Sequence, residues 1–142
     1  MNSIQRSKAI LISLAVFLCP AALADTWSDL KSVSQAPSLI YCEGGDSNQP
    51  TQLWLCFNRL YRANSVNAGT LKGKLNSATP AGKIYLLLLL RQADPTEGSH
   101  LMEKLLKNKE KVLYKKGCML ETMTVEKLCR HLAAGQELVK LR

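Results

Sequence analysis

The chain has 142 residues, of which 46% are hydrophobic and 21% charged, and its 19 basic and 11 acidic residues give a formal net charge of +8. That length admits one domain with one core, and no apolar run reaches the roughly 20 residues of a membrane-spanning helix. A positive balance favours encounters with anionic partners such as phospholipid head groups, lipopolysaccharide, nucleic acid or an acidic protein, without choosing among them.

Residues 1–24 carry the pattern of a cleavable export signal. Arg6 and Lys8 form its basic start, Ala9 to Leu18 its apolar core, and Pro20 precedes the small-x-small triplet Ala22-Leu23-Ala24. Cleavage after Ala24 makes Asp25 the expected N-terminus and removes two basic and no acidic residues, so the net charge falls from +8 to +6. The bulky Phe17 and Leu18 before Cys19 do not suit a lipid-modified cysteine. The short signal points to a bacterial protein that works in the periplasm or outside the cell, an oxidising setting.

Four of the five cysteines lie beyond the signal: Cys42, Cys56, Cys118 and Cys129. In an exported domain they are expected to form two disulfides, with the local pairs Cys42 to Cys56 and Cys118 to Cys129 favoured because each closes a short loop. The lack of C-x-x-C pairs argues against both a zinc site and a thioredoxin-like redox motif.

In chain order, Thr26 is expected to cap a helix whose Trp27, Leu30 and Val33 share a face, and Ala36-Pro37 to end it. Ser38 to Cys42 reads as a short extended apolar stretch, followed by a loop from Glu43 to Asn48. Pro50 fits the first turn of a second helix bearing Leu53, Trp54, Phe57, Leu60 and Tyr61 at three- and four-residue steps. Asn64 to Gly69 reads as a turn, and Thr70 to Leu75 as a short helix weakened by Gly73.

Thr79-Pro80 is a capping hydroxyl followed by a first-turn proline, and it opens a helix containing Ile84, Tyr85 and the run Leu86 to Leu90. Apolar all round, that run belongs to the central, most buried helix. Asp94-Pro95 closes it, and Thr96 opens a further helix through His100, Leu101, Leu105 and Leu106. The lysine-rich stretch from Asn108 leads to a turn at Cys118. Thr122 or Thr124 then caps a last amphipathic helix with Val125, Leu128, Cys129 and Leu132, and with Leu138 near its end. No alternating strand pattern exceeds about five residues. The expected fold is therefore all-α: residues 25–142 form a single disulfide-stapled helical bundle or a short solenoid-like array of helix pairs.

Catalytic signatures are missing from the sequence. There is no G-x-S-x-G elbow, H-E-x-x-H helix, P-loop or dinucleotide fingerprint. Ser99 and His100 are adjacent on a helix and diverge by about 100 degrees, too far to form a nucleophile and base pair. His131 stands beside Arg130, whose charge opposes metal capture, and a metal site would need distant carboxylates such as Glu103 or Glu126. The expectation is a protein without catalytic residues, metal or cofactor.

The positive signal is basic. Lys104, Lys107, Lys109, Lys111, Lys115 and Lys116 are offset only by Glu103 and Glu110, and at helical spacing Lys104, Lys107 and Lys111 share a face. Such a surface suits phosphates or an acidic cleft. Without arginine, and with Tyr114 as its one aromatic, it does not suit specific reading of nucleic acid. The resulting expectation is an exported protein-binding module of the bacterial envelope, of the inhibitor or immunity type. Its rivals are a binder of anionic lipid or lipopolysaccharide and a hydrolase of an envelope polymer.

Overall fold

A computed structural model describes residues 20–41 and 51–141. Its organising element is α4 (Pro80–Ala93), which starts where the sequence places it: the Thr79 hydroxyl accepts from the Gly82 amide at 3.0 Å, with Pro80 in the first turn. Ile84, Tyr85, Leu86 and Leu87 are wholly buried, and Leu88 alone of the leucine run is half-buried. Two glycines permit its close packing. A Cβ on Gly82 would lie 2.0 Å from the Ser34 carbonyl oxygen at the end of α1 (Pro20–Ser34), and one on Gly98 would lie 2.7 Å from the Arg91 Cα. Thr79 also donates to the Ala36 carbonyl at 2.6 Å, which fixes the end of α1 to the start of α4.

Around α4 pack α1, α2 (Gln52–Ala63), α3 (Ala68–Lys74), α5 (Pro95–Leu105) and α6 (Val125–Ala133). The starts of four of them have a side-chain oxygen on a free backbone amide: Thr51 for α2, Asn67 for α3, Asp94 for α5 and Thr124 for α6. Several starts differ from the sequence expectation. α1 runs from Pro20, so Thr26 lies within the helix and does not cap it. Thr51 caps α2, which begins at Gln52, so Pro50, expected in its first turn, precedes the cap and lies outside the described residues; Asn67 begins α3 earlier than expected, and Asp94, not Thr96, opens α5.

The expected all-α fold is overturned by a three-stranded sheet in the order β1 (Ser38–Ile40), β2 (Lys111–Lys116), β3 (Met119–Thr124). β1 forms from the stretch read as extended and runs parallel to β2, pairing Leu39 with Tyr114. β2 and β3 form a hairpin of six consecutive pairs, from Lys111 with Thr124 to Lys116 with Met119, around the two-residue turn Gly117-Cys118. Gly117 has φ of +61°, a backbone region that favours glycine. Lys104, Lys107 and Lys111, read as one helix face, are instead divided: Lys104 stays on α5, Lys107 lies just beyond it, and Lys111 is on β2 together with Lys115 and Lys116.

The helices and the inner face of the sheet share one core, in which Leu39, Val112, Tyr114 and Met123 meet the helical residues. The segment after α6 is stitched across this assembly. The Tyr114 hydroxyl donates to the Leu138 carbonyl at 3.2 Å, Trp54 Nε1 donates to the Lys140 carbonyl at 3.2 Å, and the Lys140 amide donates to the Tyr41 carbonyl.

The expected disulfide pairing also needs correction. Among the described residues Cys56, Cys118 and Cys129 are free thiols. Cys118 is exposed at the hairpin turn, whereas Cys129 is wholly buried on the inner face of α6. The six residues of β3 separate turn from helix, on the order of 20 Å of extended chain, against the roughly 7 Å limit between the Cα atoms of a bridge. Cys42 lies outside the described residues. Its expected partner Cys56 is buried in α2, where Arg59 Nη2 approaches the sulfur at 3.5 Å and burial pushes the thiol pKa up.

Candidate functional site: the β2–β3 hairpin

Strand alternation gives the hairpin two chemically distinct faces. Val112, Tyr114 and Met123 point inward and are 2%, 8% and 6% exposed. On the other face Lys111, Leu113 and Lys115 follow one another along β2, with Thr122 opposite Leu113 and Leu120 opposite Lys115. Leu113 is 40% exposed, Leu120 61% and Met119, at the tip, 60%. Large apolar side chains are therefore exposed among lysines on one hairpin.

The outer edge of β3 is also open. β2 pairs with it on one side, and among the described residues no backbone group pairs with it on the other. Natural edge strands are commonly blunted by lysine, proline or a bulge. β3 reads Met-Leu-Glu-Thr-Met-Thr and pairs without interruption, so it has no lysine, proline or bulge, and Glu121 is its one charged residue.

The six lysines singled out in the sequence divide into groups. Lys111 and Lys115 enter no ion pair among the described residues. Lys116 stands 4.6 Å from the centroid of the Tyr41 ring. Lys109 is engaged by Glu126, which also accepts from Arg130 at 2.9 and 3.0 Å; these cations hold the Glu126 carboxyl below its ordinary pKa. Lys104 and Lys107 lie at and just beyond the end of α5. Glu110 is occupied by Lys83 at 2.5 Å and Asn108 at 2.6 Å, which leaves it unable to neutralise the hairpin lysines, and the hydrogen bond from Lys83 is the first cause of its lowered pKa.

Behind the hairpin tip is a concavity of about 480 Å³ that the sequence reading did not find. Tyr41, Glu121, Met119, His131 and Glu137 line it, and the Tyr41 hydroxyl donates to Glu137 at 3.4 Å. A side chain projecting inward from a strand added beside β3 would stand next to Met119, Glu121 and Met123, at the mouth of this hollow. The β-branched and aromatic residues Val112, Tyr114, Thr122 and Thr124 on either side of Gly117 were the available sign of the hairpin.

The other polar residues considered in the sequence are used locally. The Ser99 hydroxyl donates to the Pro95 carbonyl at 2.9 Å, and both Ser99 and His100 are exposed. Among the described residues no group of three or more histidines, cysteines or carboxylates is placed to hold a metal ion. Comparison with protein-family models, with curated proteins and with solved structures finds no match to this chain.

Proposed function

We propose that the protein is an exported binding module of the bacterial envelope, of the inhibitor or immunity type, and that it captures an acidic protein on the β2–β3 hairpin. The observation that carries this reading is the edge of β3, left open among the described residues, beside exposed Leu113, Met119 and Leu120 and beside Lys111 and Lys115, which enter no ion pair among the described residues. An extended segment of the partner adds a strand to β3, so that backbone hydrogen bonds supply affinity and alternate side chains supply selectivity. The lysines raise the rate of encounter with an acidic surface more than they add to final affinity. Export rests on the signal pattern in residues 1–24.

Leucine and methionine among lysines also suit an anionic lipid surface, and one experiment separates the two readings. Immobilised wild type is compared with a Lys111→Glu, Lys115→Glu, Lys116→Glu variant and with a control reversed at Lys31 and Lys127. The proposal expects one acidic envelope protein to be retained by wild type and control and lost by the triple variant. Saturable binding to vesicles of equal parts phosphatidylcholine and phosphatidylglycerol, with no such protein, would assign the hairpin to lipid. Equal retention by all three proteins would overturn both readings.

A further inference from the structure

A second concavity, of about 310 Å³, lies between α2, the second half of α4, the end of α6 and the C-terminal segment, and shares Glu137 and Leu138 with the first. Its size is at the lower end for a small-molecule site. Phe57 of α2, Leu88 of α4, Leu132 of α6 and Val139 of the C-terminal segment give it apolar walls. Leu88, Arg91 and Gln92 stand at steps of three and four residues on α4, so one helix face supplies an apolar wall, a guanidinium and an amide.

Among the described residues two of these groups lack partners. Gln92 Oε1 is buried and accepts no hydrogen bond from any described residue. Arg91 enters no ion pair among the described residues, although its stem is fixed: Gly98 of α5 comes so close that a Cβ there would lie 2.6 Å from the Arg91 Cγ. A buried acceptor without a donor is costly, and a leucine or methionine of similar size would avoid that cost. An apolar hollow with a few convergent polar groups is the usual form of a ligand site.

We propose that this cleft binds a small amphipathic organic monoanion. Its apolar body lies against Phe57, Leu88, Leu132 and Val139, its anionic group meets Arg91, and an N–H or O–H on it donates to Gln92 Oε1. Glu137, also on the lining, disfavours a second negative charge.

The test uses the full chain and the fluorescent probe 8-anilinonaphthalene-1-sulfonate, which combines fused apolar rings, one sulfonate and one N–H. The expected result is saturable binding of one probe per chain, with blue-shifted emission. Arg91→Ala should weaken it about tenfold, the scale of a lost charge-assisted hydrogen bond. Gln92→Met should also weaken it, and Leu132→Trp, which fills the cleft, should abolish it. Arg91 is exposed, so its variant keeps the fold, which circular dichroism verifies. The uncharged analogue N-phenyl-1-naphthylamine should bind at least about tenfold more weakly than the sulfonate. No saturable binding, equal binding of the two probes, or binding unchanged in both the Arg91→Ala and the Leu132→Trp proteins would overturn the proposal.

Discussion

Arg59 holds Asp29 with two hydrogen bonds, Nε to Oδ2 at 2.8 Å and Nη2 to Oδ1 at 2.6 Å, and so fastens α2 to α1. Asp29 is 5% exposed, and the guanidinium keeps its carboxyl below the ordinary value of 3.8. The Arg59 side chain is half exposed, which reduces the strength of the pair through solvent screening. Asp29→Asn should therefore cost about 1 to 2 kcal/mol at neutral pH. Because the folded pKa is the lower one, this stabilisation is complete above the unfolded value of 3.8 and is lost as pH falls through the folded value. Urea unfolding of both proteins should show a constant gap near neutrality and a narrowing one below pH 3.8.

The same helix bears on processing. α1 continues through Ala24 and Asp25, where Leu23, Ala24 and Asp25 are all exposed, and from Leu23 onward the first buried residues are Asp29 and Leu30. Cleavage after Ala24 should leave the fold intact. A chain of residues 25–142 is expected to melt within a few degrees of the uncleaved protein, and intact mass of exported material should place Asp25 first with no acyl group. A large drop in melting temperature, or retained and lipidated Cys19, would contradict this.

Thiol reactivity should follow burial. Cys118 is exposed, Cys56 is 2% and Cys129 0% exposed, and burial raises the Cys129 pKa to about 11. Brief treatment of native protein with iodoacetamide should label Cys118 first and leave Cys56 and Cys129 unmodified until denaturant is added. A Cys118 to Cys129 bridge in non-reducing peptide maps would contradict the structure.

Two glycines should respond in opposite ways to alanine. At Gly82 the added Cβ meets the Ser34 carbonyl at 2.0 Å, backbone that cannot move without separating α1 from α4, so Gly82→Ala should cost about 1 to 3 kcal/mol or more. At Gly73 on α3 there is nothing within 4 Å, and alanine should add about 0.5 to 1 kcal/mol through helix propensity. Thermal unfolding of the pair gives both signs.

The helical part of this architecture was legible where capping chemistry and periodicity agree. Thr79-Pro80, Asp94-Pro95 and the leucine run mark α4 and its neighbour because a capping oxygen, a first-turn proline and continuous burial all point the same way. The hairpin was concealed because β2 has lysine on both faces, at Lys115 and Lys116, so polarity does not alternate even though burial does. Its turn is Gly117-Cys118 rather than an asparagine-glycine pair, and cysteine there drew the reading toward a bridge. The lysine cluster was visible as composition. Its division between α5, an ion pair with Glu126 and the outer sheet face depends on tertiary pairing that spacing alone does not encode.

Hydrogen–deuterium exchange across the hairpin, with and without the captured acidic protein, tests the central claim most directly. Strand addition puts partner carbonyls along the open edge of β3, so the alternate amides that point away from β2, those of Leu120, Thr122 and Thr124, should gain protection on binding, and the triple lysine variant should show no change at the same concentrations. Protection confined to other elements, with β3 exchanging as in the free protein, would contradict the account.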